Sequence, residues 1–124
     1  MLDYWFLAEW FLGDALESCD SVCNKKGLIC SEKEFDFHNN EVDSSDEVLK
    51  LIEKLGGTTS ATLCVSANYP AVPLFNHKSY CMYSGKSQPS IFSCTTVPGP
   101  PESLKQRICY CTHTAIGIAV ATGM

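Results

Sequence analysis

Residues 18–30 read SCDSVCNKKGLIC and residues 107–111 read RICYC. Ser18 is an N-cap residue, Gly27 a helix stop, and Cys19 and Cys23 stand one helical turn apart, so a short helix presents both sulfurs on one face. Cys109 and Cys111 are two apart in a β-rich run and share one face of a strand. The economical pairing staples that first helix to this last strand by two bridges. A fold follows in which the two ends of a cysteine-rich unit are tied together.

Working outward, the full spacing is C-x3-C-x6-C-x33-C-x16-C-x12-C-x14-C-x-C. Cys19, Cys23, Cys30, Cys64, Cys81, Cys94, Cys109 and Cys111 make an even count of eight. Such a set reads as a disulfide framework, and frameworks persist only in oxidising surroundings. The expected location is extracellular or at the cell surface, as a secreted protein. Zinc is the competing use of Cys-x-Cys and Cys-x3-Cys with His38, His77 or His113. Zinc ribbons and fingers repeat a close pair twice, and here one half is missing, so no metal is expected.

Between the cysteines, Ser31 with Glu34 and Ser44 with Glu47 fit the capping-box spacing. The second opens the clearest helix, Ser45 to Leu55, with Val48, Leu49, Leu51, Ile52 and Leu55 as its apolar stripe and Gly56-Gly57 as its stop. Beyond Gly57 the chain changes to short β-rich runs: Thr62 to Ala67, Lys78 to Ser84, Ser90 to Thr96 and Gln106 to Thr112. Helices first and strands afterwards predict a small disulfide-rich α+β domain, with two or three short helices packed on an antiparallel sheet. Lys78–Ser84 and Ser90–Thr96 flank Gly85–Pro89 like a hairpin, which predicts a Cys81–Cys94 bridge and leaves Cys30 for Cys64. About a hundred connectivities are open to eight cysteines, so the pairing remains a hypothesis at this level.

From Ser18 to Cys111 the chain resembles the C-terminal cysteine-rich module of the animal alpha-1,6-mannosylglycoprotein 6-beta-N-acetylglucosaminyltransferases (N-acetylglucosaminyltransferase V). The residues that carry the likeness are Ser18-Cys19, Val22-Cys23, Gly27-Leu28-Ile29-Cys30, Phe35, Asn39, Leu63-Cys64, Pro73, Phe75, Tyr80-Cys81, Gly85, Phe92-Ser93-Cys94 and Arg107-Ile108-Cys109-x-Cys111. Tyr110 stands where that family has a proline. The catalytic domains of those transferases are far longer than this chain. The resemblance implies a portable scaffold, of a kind reused in large algal and protist surface proteins, and not a transferase activity.

Composition narrows function further. With 45% hydrophobic residues the chain can build a core as well as cross-links. A net charge of -5, a pI near 5.0 and nine scattered Lys and Arg argue against a nucleic-acid partner. The apolar run Thr114–Met124 is short of the roughly 20 residues a membrane span needs. Tyr4–Leu12 carries Asp3 and Glu9 beside it and lacks the basic start of a secretory signal. No Gly-x-Ser-x-Gly elbow or other activated nucleophile is present, and the acidic cluster from Glu32 to Glu47 reads as helix caps and a solvated face. No enzyme and no cofactor are expected.

Sugars enter in two ways. Tyr69, Tyr80, Tyr83, Phe75 and Tyr110 are candidates for an aromatic platform, although aromatics in half-buried strands ordinarily pack the sheet. No Asn-x-Ser/Thr sequon occurs, whereas Thr58, Thr59, Thr95, Thr96 and the prolines Pro98, Pro100 and Pro101 suit O-linked attachment. Bound or attached glycans are therefore expected partners alongside further copies of the chain.

The ends carry the remaining signal. Three parts are expected: an apolar N-terminal segment able to form a strand, 1–17, the eight-cysteine module, 18–112, and a strand-like tail, 113–124. In the tail Thr114, Ile116, Ile118, Val120 and Thr122 alternate with Ala and Gly, giving one β-branched face and one bare face. Tyr4 to Leu12 is apolar on nearly both faces when extended. Either the two ends pair with each other or one is donated as a strand to a neighbouring copy. The expected function is a non-catalytic structural subunit that self-assembles into a surface or extracellular filament, with Trp5, Trp10, Ile116, Ile118 and Val120 at the contact. The alternative is a glycan-binding or accessory domain of a larger glycosyltransferase-like or adhesive surface protein.

Overall fold

The computed structural model describes residues 9–85, 91–99 and 104–113. Its elements are β1 (Glu9–Ala15), α1 (Cys19–Lys25), β2 (Ile29–Cys30), α2 (Glu32–Phe37), a 3-10 turn (Asn39–Glu41), α3 (Ser45–Lys54), β3 (Val65–Ser66), β4 (Leu74–Phe75), β5 (Cys81–Tyr83) and β6 (Gln106–Thr112). This is a small α+β, disulfide-rich architecture. The capping signals act where the sequence places them. Ser18, Ser31 and Ser44 each accept a backbone N–H, from Ser21, Glu34 and Glu47 respectively. Ser44 Oγ also donates to Glu47 Oε1 at 3.0 Å, a second side-chain bond across the first turn of α3. Gly27 and Gly56 lie at positive φ just past the ends of α1 and α3, where only glycine is free of Cβ strain.

β6 is the central strand. β1 pairs antiparallel along it from Glu9↔Cys111 to Ala15↔Gln106, with an irregularity after Leu12. On its other side β4 pairs with Gln106 and Arg107, and β2 with Cys111 and Thr112. The sheet runs β1-β6-β4-β5-β3. One pairing departs from an all-antiparallel sheet: β3 runs parallel to β5, because the chain turns back through β4 before β5 forms.

Every cysteine is bridged. Cys19–Cys109 and Cys23–Cys111 staple α1 to β6, with Cα separations of 5.4 and 5.3 Å, as the shared faces predict. The other two expected bridges are corrected to Cys30–Cys94 and Cys64–Cys81. The reason lies in the missing hairpin. Residues 91–96 form turns and bends rather than a strand, and Ser90 lies outside the described residues. Asp20 N–H donates to Cys94 O and Cys94 N–H to Glu32 Oε2, which moors Cys94 near the α1–β2–α2 corner beside Cys30. Cys64 instead enters β3, whose register with β5 brings it to Cys81.

Within the expected N-terminal segment, 1–17, residues Glu9–Ala15 form β1, which pairs with β6 in the same sheet as the cysteine-rich elements. Trp10 is 6% exposed and packs edge-on against Phe35 and Tyr110 at 5.5 and 5.2 Å. Phe35 stacks in turn on Phe92 at 4.9 Å. Val48 and Ile52 of α3 complete the core, while Leu49, Leu51 and Leu55 pack against it half-buried.

Candidate functional site

Three places concentrate polar or assembly-competent groups. The first is the β1 edge. Ile108 N–H donates to Pro73 O, on the β4 side of β6. In an antiparallel ladder these directions alternate, so Arg107, Cys109 and Cys111 turn their backbone groups to β1. Their partners Phe11 and Glu9 use those bonds. The N–H and C=O groups of Trp10 and Leu12 consequently point away from β6, along an edge that no described strand covers.

The second is a cluster over the aromatic core. Trp10 Nε1 donates to Glu41 Oε1 at 2.9 Å, while Glu41 Oε2 lies 2.7 Å from His38 Nδ1. His38 Nε2 lies 3.7 Å from Glu34, and its ring stacks on Tyr110 at 4.0 Å. Burial alone would raise the Glu41 pKa; hydrogen bonds from His38 and Trp10, with the charges of His38 and Lys54, outweigh it and hold the carboxyl below its ordinary value. Burial, joined by the negative charges of Glu41, Glu34 and Glu9, raises the Tyr110 hydroxyl. Both His38 nitrogens thus face carboxylates. The arrangement orients Trp10 and Tyr110, and it brings no described serine or cysteine into hydrogen-bonding reach of the imidazole.

The third is Arg107, the first of three alternating β6 residues with Cys109 and Cys111, fully buried. Its guanidinium donates to Ala71 O (3.1 Å), Ser93 O (2.6 Å), Thr96 O (2.9 Å) and Pro70 O (3.2 Å). Burial depresses its pKa to about 10, opposed by Tyr69 once its phenol ionises and by the carboxylates of Asp20 and Glu32. Arg107 ties the loop before β4 to the loop that carries Cys94. Sequence reasoning passed over it as a structural centre; the available signal was a basic residue inside an otherwise core-bound strand.

The expected site residues divide accordingly. Of the aromatic platform, Phe75 (0%) and Tyr110 (7%) are in the core, Tyr69 and Tyr83 are half-buried, and Tyr80 is exposed. The five do not form one surface. Trp10, expected at an assembly contact, lies in the core with its indole hydrogen-bonded to Glu41. Trp5, Ile116, Ile118 and Val120 lie outside the described residues, as do Pro100 and Pro101. Thr58 and Thr95 are exposed, and Thr59 and Thr96 half-buried with hydroxyls bonded to Lys78 O and Ser93 Oγ. Pro98 is buried.

Asp20, Cys30 and Cys94 gather ligand-type atoms within 4.8 Å. The two sulfurs are one disulfide, so neither is a thiolate able to bind a metal. Among the described residues no helix is long and apolar enough to cross a membrane. No family model and no curated protein matches the chain.

Proposed function

We propose that this chain is a non-catalytic, extracellular structural module, the repeating subunit of a surface or extracellular filament joined through terminal strands. The observation that carries the proposal is the β1–β6 ladder. Because Glu9 pairs with Cys111, the two ends of the described β1–β6 ladder lie side by side, and the backbone groups of Trp10 and Leu12 point outward along an edge that no described strand covers. Beyond His113 the sequence alternates β-branched residues with Ala and Gly, the pattern of a strand with one face able to approach another backbone closely. Added to β1 of the next copy, such a strand makes a head-to-tail contact that propagates.

The burial of Trp10 bears on how that contact is built. The acceptor is the backbone of β1 with half-buried Phe11 and Leu12, and the Trp10 indole is the keel beneath it. Four disulfides suit a subunit that works in an oxidising compartment. The test is deletion of Thr114–Met124, read by light scattering after gel filtration. Assembly should be lost while far-UV dichroism and the four bridges persist. An unchanged particle size in the truncated chain defeats the proposal, as does a native chain that stays monomeric.

A further inference from the structure

Four disulfides close this chain, and one of them differs from the rest in where it lies. Cys19, Cys23, Cys64, Cys81, Cys109 and Cys111 are each 3% exposed or less, so three bridges have both ends sealed in the core. Cys30 is half-buried and Cys94 is 6% exposed, which leaves Cys30–Cys94 as the bridge with an accessible end. Its supports are lighter as well. Cys30 ends the two-residue strand β2, and Cys94 stands among turns and bends.

Surface groups reach this bridge. A carboxylate oxygen of half-buried Asp20 lies within 4.8 Å of both sulfurs, and the exposed Glu32 accepts the Cys94 N–H at 3.1 Å. When the sulfur–sulfur bond opens, Cys94 is still held. Its carbonyl keeps the Asp20 N–H at 2.8 Å, Ser93 O and Thr96 O on either side keep the Arg107 guanidinium, and Phe92 keeps its stack on Phe35. Cys94 therefore stays opposite Cys30, and the same pair is placed to close again.

We infer that Cys30–Cys94 is a thiol–disulfide exchange site for a low-molecular-mass thiol, with Cys30 as the sulfur attacked. The thiolate of the incoming molecule bonds to Cys30 Sγ, the Sγ–Sγ bond breaks, and its electron pair leaves on Cys94 Sγ, which takes a proton from water. The product is a mixed disulfide on Cys30 and a thiol at Cys94. Reversal, with Cys94 as the attacking thiolate, expels the small thiol and restores the bridge. Asp20 tunes the step, because a negative charge beside both sulfurs opposes an approaching thiolate. Exchange needs access to a sulfur, and burial of both ends withholds it from the other three bridges. The inference is independent of filament assembly, since the β1 edge and the chain ends take no part in it.

The test exposes the full chain to glutathione without denaturant, quenches samples with iodoacetamide over time, and maps the modified cysteines by peptide mass spectrometry. Glutathione on Cys30 and the alkyl group on Cys94 are expected first, with the other pairs reacting about tenfold more slowly or not at all. Gel filtration to remove free glutathione before the quench should return the four-bridge chain. Asp20→Asn should speed the opening about fivefold. Another bridge opening first, or all four opening together in the parent chain, overturns the site. Glutathione found on Cys94 overturns the assigned sulfur, and an unchanged rate in Asp20→Asn overturns the part given to that carboxylate.

Discussion

Replacing Arg107 with methionine tests whether this buried cation holds the fold together or burdens it. Methionine fills similar volume without a donor. Pro70 O would still receive Ser93 N–H, but Ala71 O, Ser93 O and Thr96 O would lose the guanidinium that serves them. Each abandoned buried carbonyl costs about 1–3 kcal/mol. Against this, the variant no longer has to desolvate a charge, a refund of several kcal/mol in an unrelaxed interior. Because three carbonyls are stranded at once in loops that the Cys30–Cys94 bridge keeps from swinging out to water, the loss should prevail, at about 3 kcal/mol. Urea unfolding at neutral pH, followed by far-UV dichroism with all four bridges intact, measures it. Arg107→Lys, with a charge but no planar fork, should fall roughly midway. A methionine variant as stable as the parent, or more so, would refute the claim that these hydrogen bonds outweigh the buried charge.

Cys19–Cys109 and Cys23–Cys111 close loops of 90 and 88 residues, so either one alone supplies nearly the same chain-entropy restraint. Removing both should therefore cost about 3 kcal/mol more than the sum of the single removals, read by denaturant unfolding of paired Cys→Ala variants. Gly13→Ala should destabilise by about 1–3 kcal/mol in the same assay, because a Cβ there would lie 2.8 Å from Val22 Cγ2 beneath α1. Acid should weaken the fold through Glu17 and Glu41. Burial would raise Glu17, but hydrogen bonds from Lys25, Ser21 and the Asp14 amide, with the Lys25 charge, bring it below the ordinary 4.5, as Glu41 is brought below it. Their contribution is complete above the unfolded-state value and lost as pH falls through the lower folded values. The urea midpoint should drop below about pH 4.5, less steeply in Glu17→Gln and Glu41→Gln.

How far local sequence reaches is visible element by element. α1, α2 and α3 start at serine caps, and α1 and α3 stop where glycines stand, since a capping bond joins residues three apart and needs no distant partner. Gln106–Thr112 was legible as a strand, and so was the double staple to α1, because shared faces follow from the periods of helix and strand. The 91–96 segment misled. Its β-rich composition matches a strand, but Cys94 is anchored by Asp20 and Glu32, two contacts from remote parts of the chain.

The same division holds for the candidate sites. An oxidised, cross-linked α+β module with apolar ends follows from cysteine count, caps and alternation, all properties of neighbours in sequence. Only the tertiary structure decided that Cys30 joins Cys94, that Trp10 lies in the core above Glu41, and that Arg107 holds two loops. Each of these depends on which groups compete for one acceptor or one cavity once the sheet has closed, and that competition is between residues tens of positions apart.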